Sequence, residues 1–113
     1  MSQSLIERIK KARQTTVKVG DITLIVRRPT DLDMVTGGGK FTTLEILTRF
    51  VDGWQGMKEC DLVPGGNPVE APFSRELFTE WVADHTESWS AISAAVVESY
   101  KRHKDEVEEA AKN

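Results

Sequence analysis

The spacing of apolar residues changes once near the start of this 113-residue chain, and that change constrains the fold most. Residues 1–14 carry apolar side chains at the spacing of an amphipathic helix. Residues 15–28 then alternate apolar and polar side chains on both sides of Gly20-Asp21. This pattern predicts a β-hairpin with a type II′ turn, because glycine accepts positive φ at the first central position. Two strands alone are marginal in water, so the hairpin must pack on helices or pair with another copy of the chain, which leaves a homo-oligomer open.

Helical spacing dominates the chain after Pro29. Residues 30–100 are expected to form the helical core, with one helix over 40–54, and residues 101–113 form the polar end of a closing helix. We therefore expect one α+β domain over residues 1–113, predominantly α-helical, in which the hairpin packs on a small bundle of about four helices.

A connector of residues 55–72, rich in proline and glycine, separates two of these helices. A loop of this length in a small domain is usually either functional or disordered. Four apolar residues within it lack helical spacing, so they either fold over the core or await a partner protein. These candidate partner-binding residues are Met57, Leu62, Val63 and Val69.

Five aromatic residues follow the apolar stripes of the predicted helices or bracket the connector, and we predict them to be structural anchors. They are Trp54, Phe73, Phe78, Trp81 and Trp89. Phe73 and Phe78 flank Ser74 as a hydrophobic staple flanks a helix N-cap. The tryptophans could instead be anchors of a protein interface, where aromatic residues dominate the binding energy.

Composition and charge exclude several classes of protein. The net charge is −3 and the basic residues are dispersed, which argues against nucleic-acid binding. Cys60 is the single cysteine, so no intrachain disulfide forms and a reducing, cytosolic setting fits best. No segment has the roughly 20 apolar residues of a membrane span, and the N-terminus lacks the apolar core of a signal peptide.

Residues that could carry chemistry do not occur at catalytic or metal-binding spacing. The run GGGK at 37–40 lacks the preceding glycine and the following hydroxyl residue of a P-loop. Cys60, Ser74 and His85 have no nucleophile-elbow sequence around them. Two histidines and one cysteine do not make a metal site. We therefore expect no enzymatic activity, metal or cofactor.

Several short stretches occur in an order that resembles the tail assembly chaperones of long-tailed bacteriophages. They are Arg27-Arg28-Pro29 at the end of the hairpin, FVDGW at 50–54, PFS at 72–74, ELF at 76–78, and Trp89 in the closing helix. The resemblance covers roughly residues 16–100 and depends on the ordered set, since each stretch alone is short.

The resemblance implies a non-enzymatic protein that is made late in infection and acts in the host cytoplasm. Its partners would be the tape measure protein and the tail tube protein, and it would be absent from the mature virion. Many members of the family also have a longer form made by ribosomal frameshifting. Ala111-Lys112-Asn113 can be encoded by GCA-AAA-AAC, which contains the slippery heptamer A-AAA-AAC, so the gene sequence tests for frameshifting here.

Rival functions remain open at the level of sequence. The first is another phage morphogenesis component, such as a minor tail or head–tail connector protein, that stays in the virion. The second is a small host-directed regulator or DNA-binding protein, against which the acidic balance argues. An enzyme is a more distant third.

Overall fold

The described residues form an α+β fold, with six helices and a three-stranded antiparallel sheet. The computed structural model describes residues 4–37 and 39–112. Asn113, the last residue whose codon could belong to the slippery heptamer, lies outside the described part. In chain order the elements are α1 (Leu5–Ala12), β1 (Gln14–Val19), β2 (Ile22–Arg27), α2 (Asp31–Thr36), α3 (Thr43–Phe50), β3 (Val51–Gln55), α4 (Glu59–Leu62), α5 (Arg75–Ala83), a 3-10 turn (Thr86–Ser88) and α6 (Trp89–Ala111).

The N-terminal hairpin is confirmed. Val19 pairs with Ile22 across the turn, and the register continues to Gln14 opposite Arg27. Gly20 has φ of +60°, whereas no non-glycine residue in the described chain has positive φ. Asp21 therefore has negative φ, which identifies the turn as type II′ and excludes type I′.

The third strand, β3, corrects the prediction of a helix that continued to Trp54. The chain leaves α3 at Phe50 and pairs with β2, placing Leu24 opposite Trp54 and Val26 opposite Val51. The register shifts by one residue between those pairs, which leaves Asp52 as the extra residue of a β-bulge. The bulge puts two apolar residues three positions apart on one face of the sheet, a spacing that also fits a helix.

The carboxylate of the bulge residue Asp52 interacts with arginines of β2 and α5. Its Oδ1 accepts a hydrogen bond from Nε of Arg27 at 3.2 Å and lies 3.8 Å from Nη2 of Arg75. Arg75 also donates from Nη1 to the carbonyl of Thr48 near the end of α3. Strand β2, the bulge, α3 and the start of α5 are therefore joined by one polar network.

The core lies between one face of the sheet and the helices. Helix α6 packs against α3, β1 and β2, and α5 packs against α3. The buried apolar residues are Ile22, Leu24, Val26, Leu47, Phe50, Val51, Trp54, Met57, Ala71, Phe78, Trp81, Val82, Ile92 and Val96. Since β3 occupies the second edge of β2, only β1 and β3 have an outer edge that another copy of the chain could pair with.

The two terminal helices contribute less to this core. Helix α1 ends at Ala12 and buries none of its side chains. The last turns of α6 are exposed except for the half-buried His103, as predicted for a polar helix end. No helix in the described residues is both long and apolar enough to span a membrane.

The carboxylate of Asp33 stabilises the start of α2 in a pH-dependent way. Its Oδ2 accepts a hydrogen bond from the Thr30 amide at 2.8 Å, and the Thr30 hydroxyl accepts one from the Asp33 amide at 3.1 Å. Partial burial acts to raise the pKa of Asp33, but the bonds with Thr30 and the charges of Arg27 and Arg49 outweigh it and lower that pKa. A carboxyl group whose pKa falls on folding stabilises the fold above its unfolded pKa, near 3.9.

We expect Asp33→Asn to lower the free energy of unfolding by about 1 kcal/mol at pH 7, and this difference to shrink as the pH falls towards 3. Urea denaturation at pH 7, 5 and 3 measures it. Asp105→Asn on the exposed end of α6 is the control, and should leave stability within about 0.5 kcal/mol at each pH. A difference for Asp33→Asn that stays constant from pH 7 to 3 would contradict the assignment.

Candidate functional site

The connector of residues 55–72 is ordered by hydrogen bonds within itself. The amide of Ala71 donates to the carbonyl of Met57 at 2.8 Å, and the amide of Glu59 donates to that of Val69 at 2.9 Å. Lys58 and Glu70 form a β-bridge between these two bonds. The connector therefore doubles back like a short hairpin, and α4 lies within it.

The start and end of the connector are fixed to the core. Nε1 of Trp54 donates to the carbonyl of Ala71 at 2.7 Å, in a buried hydrogen bond across 17 residues of chain. The side chain of Met57 is fully buried. The expectation that Met57 is available to a partner is therefore wrong, because its side chain fills the core beneath the connector.

The predicted aromatic anchors pack as a continuous group. The ring centroids of Trp54 and Phe73 are 5.2 Å apart, and those of Phe73 and Phe78 are 6.0 Å apart, which is the staple contact. Trp81 stacks on Phe78 at 6.1 Å. Trp89 is half-buried against the core. These contacts place all five anchors in packing roles.

The indole of Trp89 also links two elements. Its Nε1 donates to the carbonyl of Val82 at 2.7 Å, which satisfies one of the last carbonyl groups of α5. Two residues beyond α5, the ring of His85 stacks on Trp81 at 4.6 Å, and its Nδ1 lies 2.8 Å from the Trp81 carbonyl. The Trp89 hydrogen bond therefore joins the end of α5 to the start of α6.

A groove lies open between the connector and α5. It consists of two adjoining depressions with volumes of about 450 Å³ and 250 Å³. Leu62, Val63 and Leu77 line both depressions. We call this surface, with Pro72 and Trp81 at its ends, the connector groove.

Acidic side chains surround the apolar floor of the connector groove. Glu59 and Asp61 come from the connector, Glu80 lies on α5, and Asp84 directly follows that helix. No lysine or arginine is among the described residues that line it. The groove therefore combines apolar contact area with a negative potential, which favours a ligand with apolar and basic side chains.

The structure separates the remaining partner-binding candidates. Val63 has an exposed fraction of 60% and lies in the connector groove, while Leu62 is half-buried there and also packs on the core. Val69 is 51% exposed but does not line the groove. Two of the four predicted residues thus belong to one accessible site.

Leu77 is a residue of this site that the sequence analysis did not single out. Its helical spacing with Phe78 and Trp81 is typical of a buried face, yet it is 36% exposed and lies on the groove floor. The signal that could have identified it is the pair of acids three and seven positions later, Glu80 and Asp84, which share its side of the helix.

The nucleophilic side chains Ser74 and Cys60 have positions that give them no catalytic partner among the contacts of the described residues. Ser74 caps α5, since its Oγ accepts a hydrogen bond from the Leu77 amide at 3.1 Å. Cys60 is an exposed free thiol on α4. Within the described residues, no three His, Cys, Asp or Glu side chains are grouped so that they could hold a metal ion.

Comparison of the chain with protein-family models, with curated proteins and with solved structures found no match. The fold and the groove define a class by geometry: a small α+β domain with an ordered connector that presents an apolar, acid-rimmed groove.

Proposed function

We propose that this protein is a non-enzymatic tail assembly chaperone of a long-tailed bacteriophage, which binds the tape measure protein during tail assembly. The observation that carries the proposal is the connector groove. Its apolar floor is available to solvent, and the carboxylates of Glu59, Asp61, Glu80 and Asp84 surround that floor. The stretches that resemble the chaperone family lie on both sides of the connector.

The chemistry of the groove suits a helical segment with apolar and basic side chains. A tape measure protein is a long, mainly helical chain whose apolar faces are uncovered before the tail tube forms around it. Apolar side chains would contact Val63 and Leu77, and lysine or arginine side chains beside them would meet the acidic rim.

The groove is lined by 14 described residues, fewer than the roughly 20–30 on each side of a standard interface. Smaller interfaces are typical of weak, transient complexes, which suits a chaperone. Several copies bound along one tape measure chain would cover it collectively, while each copy could still leave as the tube grows. Tail tube subunits are the second proposed partner, and the host cytoplasm is the proposed location, with release before the virion matures.

Co-purification tests the function. The tagged full chain is co-expressed with overlapping fragments that span the tape measure protein of the same phage. We expect one or more fragments to be retained, and retention to fall as ionic strength rises, because salt screens the attraction to the acidic rim. Failure of every fragment to bind the folded chain would contradict the proposal.

The rival function is a structural component, such as a minor tail or head–tail connector protein, that stays in the particle. Quantitative mass spectrometry of purified virions distinguishes the two. A chaperone is expected to be absent or far below one copy per tail, whereas stoichiometric presence would favour the rival.

A further inference from the structure

A second, basic cavity lies where the start of the sheet meets α6, and the proposed chaperone function does not use it. Arg13 follows α1, Arg28 follows β2, and Arg102 and His103 lie one turn beyond the middle of α6. Their side chains line a cavity of about 130 Å³. This volume is that of a few water molecules, which matches a small ion.

The positive charge of this cavity is poorly compensated. Among the described residues that line it, Glu106 alone is acidic, so three arginine charges against one carboxylate leave a charge of +2 when histidine is counted as neutral. Arg28 donates from Nη1 to the carbonyl of Pro29 at 3.2 Å, which supplies no negative charge. Burial, and then the charge of Arg13, lower the pKa of Arg28, and they outweigh the charges of Asp31 and Glu106, which act to raise it.

Arg13, which lines this cavity, also carries a buried donor without a partner in the described chain. Its Nε is buried and has no hydrogen-bond partner among the described residues. An unsatisfied buried donor is destabilising, and the penalty is larger for a charged group. The charges of Arg13 and Arg28 also repel one another across the cavity. An anion between the two guanidinium groups would relieve this repulsion.

We propose that this cavity binds a phosphate-class oxyanion, held by Arg13, Arg28 and Arg102. The donors come from three separate segments of chain, so they converge from several directions on one volume. That arrangement suits a tetrahedral dianion better than a planar carboxylate, which a single arginine binds in a bidentate way. The ligand is either free inorganic phosphate or a phosphate group carried on a peptide.

Titration of the full chain with inorganic phosphate tests the site. At constant ionic strength, 20 mM phosphate is expected to raise the melting temperature by about 5 °C relative to chloride. Arg102→Gln should weaken phosphate binding by about tenfold, since it removes one charge-assisted contact from an exposed side chain without disturbing the core. Arg8→Gln, on α1 and outside the cavity, is the matched control and should change the affinity less than about twofold.

Two further ligands, a phosphoserine peptide and acetate, test where the bound phosphate group comes from and whether the site is specific for phosphate. A phosphoserine peptide that binds more tightly than inorganic phosphate would support a carried phosphate group, and the reverse order would support the free ion. Acetate that stabilises the chain as much as phosphate would overturn the phosphate class. A melting temperature equal in phosphate and chloride, or unchanged phosphate affinity in Arg102→Gln, would overturn the site.

Discussion

Replacing Trp54 by alanine is expected to lower the free energy of unfolding by about 3–5 kcal/mol, the largest loss for any single change considered. The indole is only 7% exposed and packs on Phe73 and Phe78. Its removal also leaves the Ala71 carbonyl without the indole donor. Since domains of this size are stable by about 5–15 kcal/mol, Trp54→Ala removes a large share of the total. Urea denaturation followed by circular dichroism measures it.

Trp54→Phe separates the hydrogen bond from the packing. The ring remains apolar, but the bond to the Ala71 carbonyl is lost, so we expect a smaller loss of about 1–2 kcal/mol. Hydrogen exchange should rise first at the connector amides of Glu59 and Ala71, because this bond fastens the connector to β3. Val97→Ala, at an exposed position of α6, is the control for both variants. Exchange that rises equally throughout the domain would contradict the role given to Trp54.

Placing an acid on the groove floor is expected to abolish most of the binding to the tape measure protein. Val63→Asp buries a carboxylate against an apolar partner surface and adds charge to a rim that is already negative. We expect a loss of about 2–3 kcal/mol in binding, or roughly 30- to 150-fold in affinity. Isothermal titration calorimetry with the tightest-binding fragment measures it.

The matched control for this variant is Val107→Asp. Val63 is 60% exposed and Val107 is 52% exposed, so the same substitution at each should change folding stability by less than about 0.5 kcal/mol. Val107 lies on the polar end of α6, away from the connector groove. Equal losses of affinity in the two variants would show that added charge, and not contact with the groove, weakens the complex.

Local patterns predicted the parts of the fold that depend on local contacts. Alternation around Gly20-Asp21 predicted the hairpin, and Ser74 as an N-cap predicted the start of α5. Strand β3 could not be predicted in the same way. Its bulge at Asp52 gives Val51 and Trp54 a spacing of three, which is indistinguishable from a helix until β2 is known to pair with it.

The candidate site depended still more on tertiary structure. Apolar residues without helical spacing pointed to the connector, but the sequence could not separate the buried Met57 from the exposed Val63. That difference depends on tertiary structure, because the connector doubles back through the bond between the Ala71 amide and the Met57 carbonyl. The sequence could not predict the acidic rim either, because Asp61 and Glu80 come together only when the connector folds against α5.

Site-specific photo-cross-linking tests most directly whether the connector groove receives the tape measure protein. Val63→p-benzoylphenylalanine and Val107→p-benzoylphenylalanine are each irradiated in complex with the full-length tape measure protein. The proposed site predicts abundant cross-links from position 63, mapped by mass spectrometry to segments with apolar and basic residues, and few from position 107. Cross-links that are absent from position 63 in a complex shown to be intact would contradict it.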